Sequence, residues 1–462
     1  YINLFLANAD KVKWAKDEVV AQMFCDREKA EAYGLRAMYM YYLLEAHAGY
    51  TEDGVLMGVP ILTEPEAAGS NFNVPRSTFV DCMKALKEDA RLALEGLPWE
   101  YGDAAEMQRL SAKYAGADQG KVTRVFGANF IGRMSGKVVE AFVAKADLLA
   151  ASPAYSDQSG VDWKTAAASA AKVLNHIGGV DGMDPTGWTW YCNVDDIEKL
   201  SPTESPAEIL WRGERAKSLS LEEDNFPPTL YGNGRINPTQ NLVDAFPMLN
   251  GYPVSHLSGE YDENLPYANR DPRLEAYILY NGCKAGNTNK EIFTAADGTT
   301  NDALNKVVGR STRTGYYLRK LLRQDISLDP NAKADQYHYT PRIRYTEIFL
   351  AYAEAANQAY GPQDKGGNGY SAYDVVKNDQ AKMAELIRNE RRIELCFEGF
   401  RFWDLRRWKS NLTETAKGMN ISGTRYTPME VDKRSFSEYM YYGPIPYSEV
   451  LKYDELKQNQ GW

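Results

Sequence analysis

The sequence predicts a mainly α-helical fold, with tetratricopeptide-like helix pairs wound into a superhelix and interrupted by an irregular, partly stranded insert. Three observations predict it. Apolar residues recur at helical spacing through both ends of the chain. Small residues stand where two such helices would cross. Between about residues 178 and 340 the helical period gives way to a stretch rich in Gly, Pro, Asn and Asp, with a few short strand-like pieces.

The elements follow in order. Asp26 reads as an N-cap, and after it Ala32, Leu35, Tyr39, Tyr42, Leu43 and Ala46 fall at i, i+3 and i+4 steps, with Gly49 as the stop. A second helix runs from about Ser77, which can cap, to Gly96, followed by Pro98. A third spans Gly136 to Ala151, ahead of Pro153, and a fourth follows Asp162 through an alanine-rich run to Gly178 and Gly179. Near the far end Tyr345, Ile348, Phe349, Tyr352, Ala355, Ala356 and Ala359 form an apolar stripe. Ala351, Ala353, Ala355 and Ala356 permit close helix contact there. A last long helix covers roughly Lys382 to Trp408. These lengths suit antiparallel hairpins, about four pairs in all, with no strict repeat of about 34 residues.

The middle offers strands at Glu208–Arg212 and Leu274–Tyr280. A structureless stretch that long is a poor linker, so it is expected to pack on the helical scaffold and to carry binding residues. The organisation expected is a single domain over 1–462. Its scaffold covers about 1–177 and 341–409, its insert about 178–340 and its C-terminal extension about 410–462.

Composition narrows the partners. Acidic residues number 63 against 53 basic ones, a net charge of -10, which repels phosphates and anionic head groups and argues against nucleic acid. Nothing approaches the run of about 18 apolar residues that spans a bilayer. The opening residues, Tyr1 to Ala9, read as the middle of a helix without an initiator Met, so further residues are expected upstream and the compartment is not legible from the start. Cys25, Cys82, Cys192, Cys283 and Cys396 are far apart and show no C-x-x-C spacing, so five isolated thiols are expected. His47, His176, His256 and His338 show no ligand spacing either; no metal site and no cofactor is assigned.

The segment from Arg388 to Trp408 is the most informative. Glu390, Glu394 and Glu398 form a like-charge ladder at i, i+4 spacing, and Arg388 and Arg392 repeat the pattern. Leu386, Ile393, Phe397 and Phe400 lie near the same face. Such carboxylates need guanidinium partners from other segments, which argues for a buried ion-pair network rather than for acid–base catalysis. The expected network holds Arg342, Arg344, Glu390, Glu394, Glu398, Arg401 and Asp404, with Glu390 and Glu394 paired to arginines outside their own helix, Arg342 or Arg344 first among them.

Glu390-Arg-Arg392, Glu394-Leu395, Phe397-Glu-Gly399, Arg401 and Asp404-Leu-Arg-Arg-Trp408 resemble the C-terminal signature of the SusD/RagB family. Leu35–Leu44, Gly58-Val-Pro60, Pro238–Phe246, Asp271-Pro-Arg-Leu274, Arg342–Leu350, Gly443-Pro-Ile-Pro446 and Gln458–Trp462 continue the likeness in the family's order. The resemblance implies a lipoprotein on the outer face of the outer membrane of Bacteroidetes, which binds glycans and delivers them to a SusC-like TonB-dependent transporter without catalysis. The family's lipobox Cys and N-terminal wrapping segment are not in this sequence, so membrane attachment is expected only through an anchor upstream. In such proteins the C-terminal signature is scaffold, and the ligand site lies elsewhere.

Sugars present flat C–H faces beside hydroxyls, so aromatic rings and planar polar groups hold them. The chain has 31 Tyr against 15 Phe, a balance that suits amphipathic surfaces. Two loops stand out, Trp188-Thr-Trp-Tyr191 and Phe226–Arg235. The expected ligand residues are Trp188, Trp190, Tyr191, Phe226, Tyr231, Asn233 and Arg235. Tryptophans in a loop bounded by Gly182, Pro185 and Gly187 are expected to stay out of the core, because such a loop cannot easily supply the regular backbone pairing that burial demands. A glycoside hydrolase would need two carboxylates about 5–9.5 Å apart across a cleft. Asp195-Asp196 and Glu222-Glu-Asp224 could supply them, but neighbouring loop acids are ordinarily solvated, so no catalytic residue is assigned. The alternative outside carbohydrate binding is a protein- or peptide-binding scaffold.

Overall fold

The structure is a computed structural model and describes residues 1–362 and 376–462. Helices pair in chain order. α1 (Glu18–His47) pairs with α2 (Phe79–Gly96), and the short α3 (Ala104–Ser111) with α4 (Gln119–Phe126). α5 (Gly136–Ala151) pairs with α6 (Trp163–Asn175), and α7 (Tyr345–Tyr360) with α8 (Gln380–Glu394). The first pair is antiparallel: Arg36 meets Asp89 at 2.6 Å, and Ala30 lies so close to Gly96 that a Cβ there would stand 2.7 Å from it. In the third pair the Ser169 hydroxyl donates to Asp147 and Lys172 pairs with Glu140. α7 crosses α6 on alanines, Ala351 and Ala355 against Ala166 and Ala167, the close contact that the small residues predict.

Local chemistry sets the boundaries. α1 begins at Glu18 because the Asp17 carboxylate accepts the Val20 N–H at 3.0 Å, so Asp26 lies inside the helix rather than capping it. Thr78, not Ser77, caps α2, accepting from the Asp81 N–H at 3.2 Å. The buried face of α1 is made by Ala30, Gly34, Ala37, Met38, Tyr41 and Leu44. Its predicted stripe is turned aside, leaving Tyr39, Tyr42 and Leu43 exposed, because α2 and α5 approach most closely over the small residues.

The predicted last helix breaks. α8 ends at Glu394, and α9 (Phe400–Arg407) starts after a turn in which Phe397 has φ 65° and Gly399 φ 89°. Glycine adopts that left-handed conformation freely, whereas Phe397 is held in it by its surroundings. Glu398 therefore leaves the helical ladder.

Residues 178–340 fold into short helices, such as Val194–Lys199, Ser220–Asn225 and Pro272–Tyr277, and two-stranded ladders. β1 (Ile209–Arg212) leads into this region, β2 (Ala216–Ser218) pairs antiparallel with β3 (Gln336–His338), and β4 (Pro341–Arg344) returns beside β1 and runs directly into α7. The strand predicted at Leu274–Tyr280 is a helix to Tyr277 and a strand only over Ile278–Leu279, because Asp271 caps it and Pro272 occupies its first position. A hairpin of β5 (Ala416–Ser422) and β6 (Arg425–Asp432) follows α9. The five cysteines are free thiols, buried except for the half-buried Cys192.

The chain end returns to the first helix pair. Arg76 is buried, and its guanidinium donates to the carbonyls of Gly58 at 2.7 Å, Met57 at 3.0 Å, His47 at 3.2 Å and Lys457 at 3.2 Å and to Asn459 Oδ1 at 2.8 Å. No carboxylate among the described residues pairs with it, and burial lowers it to about 10.

Candidate functional site

A buried ion network underlies the site. Arg344 donates to Glu208 at 2.6 Å, Glu398 at 2.8 Å and Glu394 at 3.2 Å. Arg273 reaches Glu394 at 3.0 Å and Glu390 through a second nitrogen at 3.0 Å, and Lys320 holds Glu398 at 2.7 Å. Burial pushes the Glu398 carboxyl up, yet Lys320 and Arg344 more than reverse it and leave it below its ordinary value. Asp404 behaves alike: burial opposes, and Arg391 and Arg407 prevail. Arg407 also pairs with Glu354 at 2.6 Å, fastening α9 to α7.

The predicted partners are thus half right. Arg344 takes Glu394, but Arg273 takes Glu390, and Arg342 lies exposed with its guanidinium 4.4 Å from the centre of the Trp211 ring. In a regular strand residues 342 and 344 would share a face. The β1–β4 register slips on both sides of Ile343, and that irregularity turns Arg344 inward. Arg401 also stands apart. It has no carboxylate partner among the described residues, and burial with the nearby Arg392 lowers it to about 10.

Above this network, where β2 and β3 lean over β4 and the α8–α9 turn, opens a cleft of about 670 Å³. Its volume falls in the usual range for small-ligand sites. Trp190, Tyr191, Tyr339, Phe397 and Phe400 supply aromatic walls. The Trp190 ring lies 5.6 Å from that of Tyr339 and 5.8 Å from that of Tyr191. Arg344 and Glu398 border the cleft, as do Glu214, Ser218, Ser220, Asp224, His338 and Arg342. His338 is anchored by the fully buried Glu222, 3.1 Å from its Nε2.

A model of the SusD family matches residues 211–462, which include the whole Arg388–Trp408 segment. The chain belongs to the SusD family. Solved structures extend the likeness along the whole chain. A SusD-like protein from Bacteroides fragilis is 24% identical, with TM-score 0.70, over 100% of this chain and 84% of that one. A SusD-like carbohydrate binding protein from the same species is 21% identical, with TM-score 0.70, over 99% and 84%. A SusD superfamily protein from Parabacteroides distasonis is 16% identical, with TM-score 0.56, over 100% and 83%. At these identities the likeness is one of fold. No curated protein matches the chain.

Within this SusD-family fold the seven expected ligand residues separate. Trp190 and Tyr191 are buried but form a wall of the cleft. Phe226 is in the core beneath its loop, at 1% exposure, since it packs with Leu230 and Leu279. Trp188 and Asn233 are half-buried, and Tyr231 and Arg235 are exposed. Tyr231 has φ 66°, a strained value for a non-glycine residue, with the Lys290 ammonium 5.4 Å from its ring centre. Arg235 reaches Asp224 on the cleft rim at 3.3 Å, which links the Tyr231 loop to the cleft. Glu214, His338, Tyr339, Phe397 and Phe400 were not among the expected site residues. The His338–Pro341 stretch gave no signal of its own, and Phe397 and Phe400 read as core.

Proposed function

We propose that this SusD-family protein binds a glycan in the cleft between insert and scaffold and delivers it to a SusC-like TonB-dependent transporter at the surface of the outer membrane. The observation that carries the reading is an aromatic-walled cleft of about 670 Å³ bordered by polar side chains. Trp190 is 8% exposed, and its indole N–H has no hydrogen-bond partner among the described residues. Tyr231, Asn233 and Arg235 extend the binding surface beyond the rim, with Trp188 behind the wall. Because insert and scaffold both line the cleft, residues 1–462 act as one binding unit. The protein is anchored by lipid upstream of Tyr1 and has no catalytic step or cofactor.

Glycan-array screening followed by calorimetry tests this reading. Saccharide binding that weakens on substitution of the cleft aromatics supports it; no saccharide bound anywhere on the array would end it. A second surface favours a protein-binding role alongside: Tyr39, Tyr42 and Leu43 form an exposed apolar stripe on α1. Transporter binding retained by a glycan-blind variant, and lost when this stripe is made polar, would assign the two roles to separate surfaces.

A further inference from the structure

We infer that Arg392, Arg401 and Arg434 form a second binding site, one for a tetrahedral oxyanion: phosphate or sulfate, free or carried as an ester. The three arginines come together from separate elements, and none of them borders the cleft. Arg391 of α8 grips Asp404 of α9 at 3.1 Å, which holds the two helices side by side. Arg392 follows Arg391, and Arg401 stands one turn before Asp404, so both lie at this junction. Glu414 reaches Arg392 at 3.9 Å and leads into β5. In the hairpin Ala416 pairs with Asp432. Arg434, two residues past that pair, therefore returns beside Glu414, two residues before it.

The cluster is short of negative charge. Arg401 is half-buried and has neither a hydrogen bond nor an ion pair among the described residues, and the exposed Arg434 has none either. Burial, Arg392 and Arg434 lower Arg401 to about 10 against the pull of Asp404 and Glu414. Burial and Arg434 lower the half-buried Arg392 as well. A guanidinium does not shed its proton in a protein, so the repulsion stays until an anion relieves it. The carboxylates that act on the cluster do not balance it. Asp404 is shared by Arg391 and Arg407, and Asp244 faces the buried Arg270 as well as Arg392. Counting Asp244 against Arg270 and Glu414 against Arg392 leaves Arg401 and Arg434 uncompensated. All three forks can be reached from solvent, the Arg392 side chain being 21% exposed. A phosphate or sulfate dianion supplies the missing charge, and it offers three forks more acceptor oxygens than a carboxylate does.

The test is titration calorimetry of the full chain with inorganic phosphate and with glucose 6-phosphate, at an ionic strength held constant with chloride. Binding is expected to weaken at least about tenfold in Arg434→Gln and in Arg401→Gln, since each loses a charge-assisted fork. Arg434 is exposed, so its variant is expected to melt as the parent does in chloride. Arg401→Gln removes an uncompensated cation. It is expected to melt no lower than the parent in chloride and to lose the rise in melting temperature that phosphate gives the parent. Glu414→Gln removes the competing carboxylate and is expected to tighten binding. Phosphate bound without the ester marks the source as the free ion, and the ester bound as tightly marks it as a group carried on a larger ligand; either supports the site when Arg434→Gln weakens it. Neither probe bound by the parent, or binding unchanged in both arginine variants, overturns the site.

Discussion

Replacing Arg344 by methionine should destabilise the protein far more than the same change two residues earlier. The Arg344 side chain is 3% exposed, and the carboxylates that it joins, Glu208, Glu394 and Glu398, are 1%, 5% and 8% exposed. Without it Glu398 keeps Lys320 and Glu394 keeps Arg273, so two of the three remain paired. Glu208 is left with the Thr346 hydroxyl and backbone N–H and no cation. Breaking a buried pair typically costs about 3–5 kcal/mol. One stranded carboxylate, already raised by burial and able to take up a proton, places Arg344→Met near the lower end, about 3 kcal/mol. Arg342→Met removes an exposed cation from the Trp211 face, about 0.5–1 kcal/mol. Urea unfolding followed by tryptophan fluorescence measures both. Equal midpoints for the two variants would refute the assignment of the network to Arg344.

Acid should weaken the fold through Glu398 and Asp404, whose folded values lie below the ordinary ones. Their contribution is complete above the unfolded carboxylate range, about pH 4, and is lost as pH falls through the folded values, which a melting series from pH 6 to pH 2 reads. Tyr231→Ala should lower glycan affinity at an unchanged melting temperature, since the residue is exposed. Trp190→Ala should lower both, with a stability loss of about 3–5 kcal/mol for a buried tryptophan. The pure protein should release no reducing ends from any polysaccharide that it binds; release abolished by a single carboxylate substitution would overturn the non-enzymatic reading.

Much of the scaffold was legible because its signals are local. The Asp162 cap, the stop before Pro153 and the alanines of α7 act within a turn or two of the residues that carry them. The first cap was misread because Asp26 and Asp17 look alike in sequence, and only the start of the helix distinguishes them. The break after Glu394 depends on the left-handed backbone at Phe397, a conformation that phenylalanine itself disfavours. The burial of Trp190 failed for an instructive reason. The loop winds into a 3-10 turn in which the Trp190 N–H donates to the Gly187 carbonyl at 3.2 Å, and tyrosines from elsewhere take two more carbonyls: the Tyr277 hydroxyl donates to that of Trp188 at 2.9 Å and the Tyr339 hydroxyl to that of Trp190 at 3.3 Å. Arg273, Lys320 and Glu208 were missed for the same reason, because contacts across 78 to 136 residues leave no periodic trace.

The Arg76 clamp makes the two ends of the chain interdependent in time as well as in space. A ribosome that has produced both helices of the first pair has not yet produced Lys457 or Asn459, so two of the guanidinium's acceptors do not exist while its neighbours are ready to close over it. A buried cation short of acceptors opposes that closure. Closure of the first helix pair over Arg76 is therefore expected to finish only once Lys457 and Asn459 have been made, and long-range closure of this kind slows folding. A nascent chain stalled before Lys457 is expected to leave the Arg76 region open to amide exchange, and one extended past Asn459 to protect it.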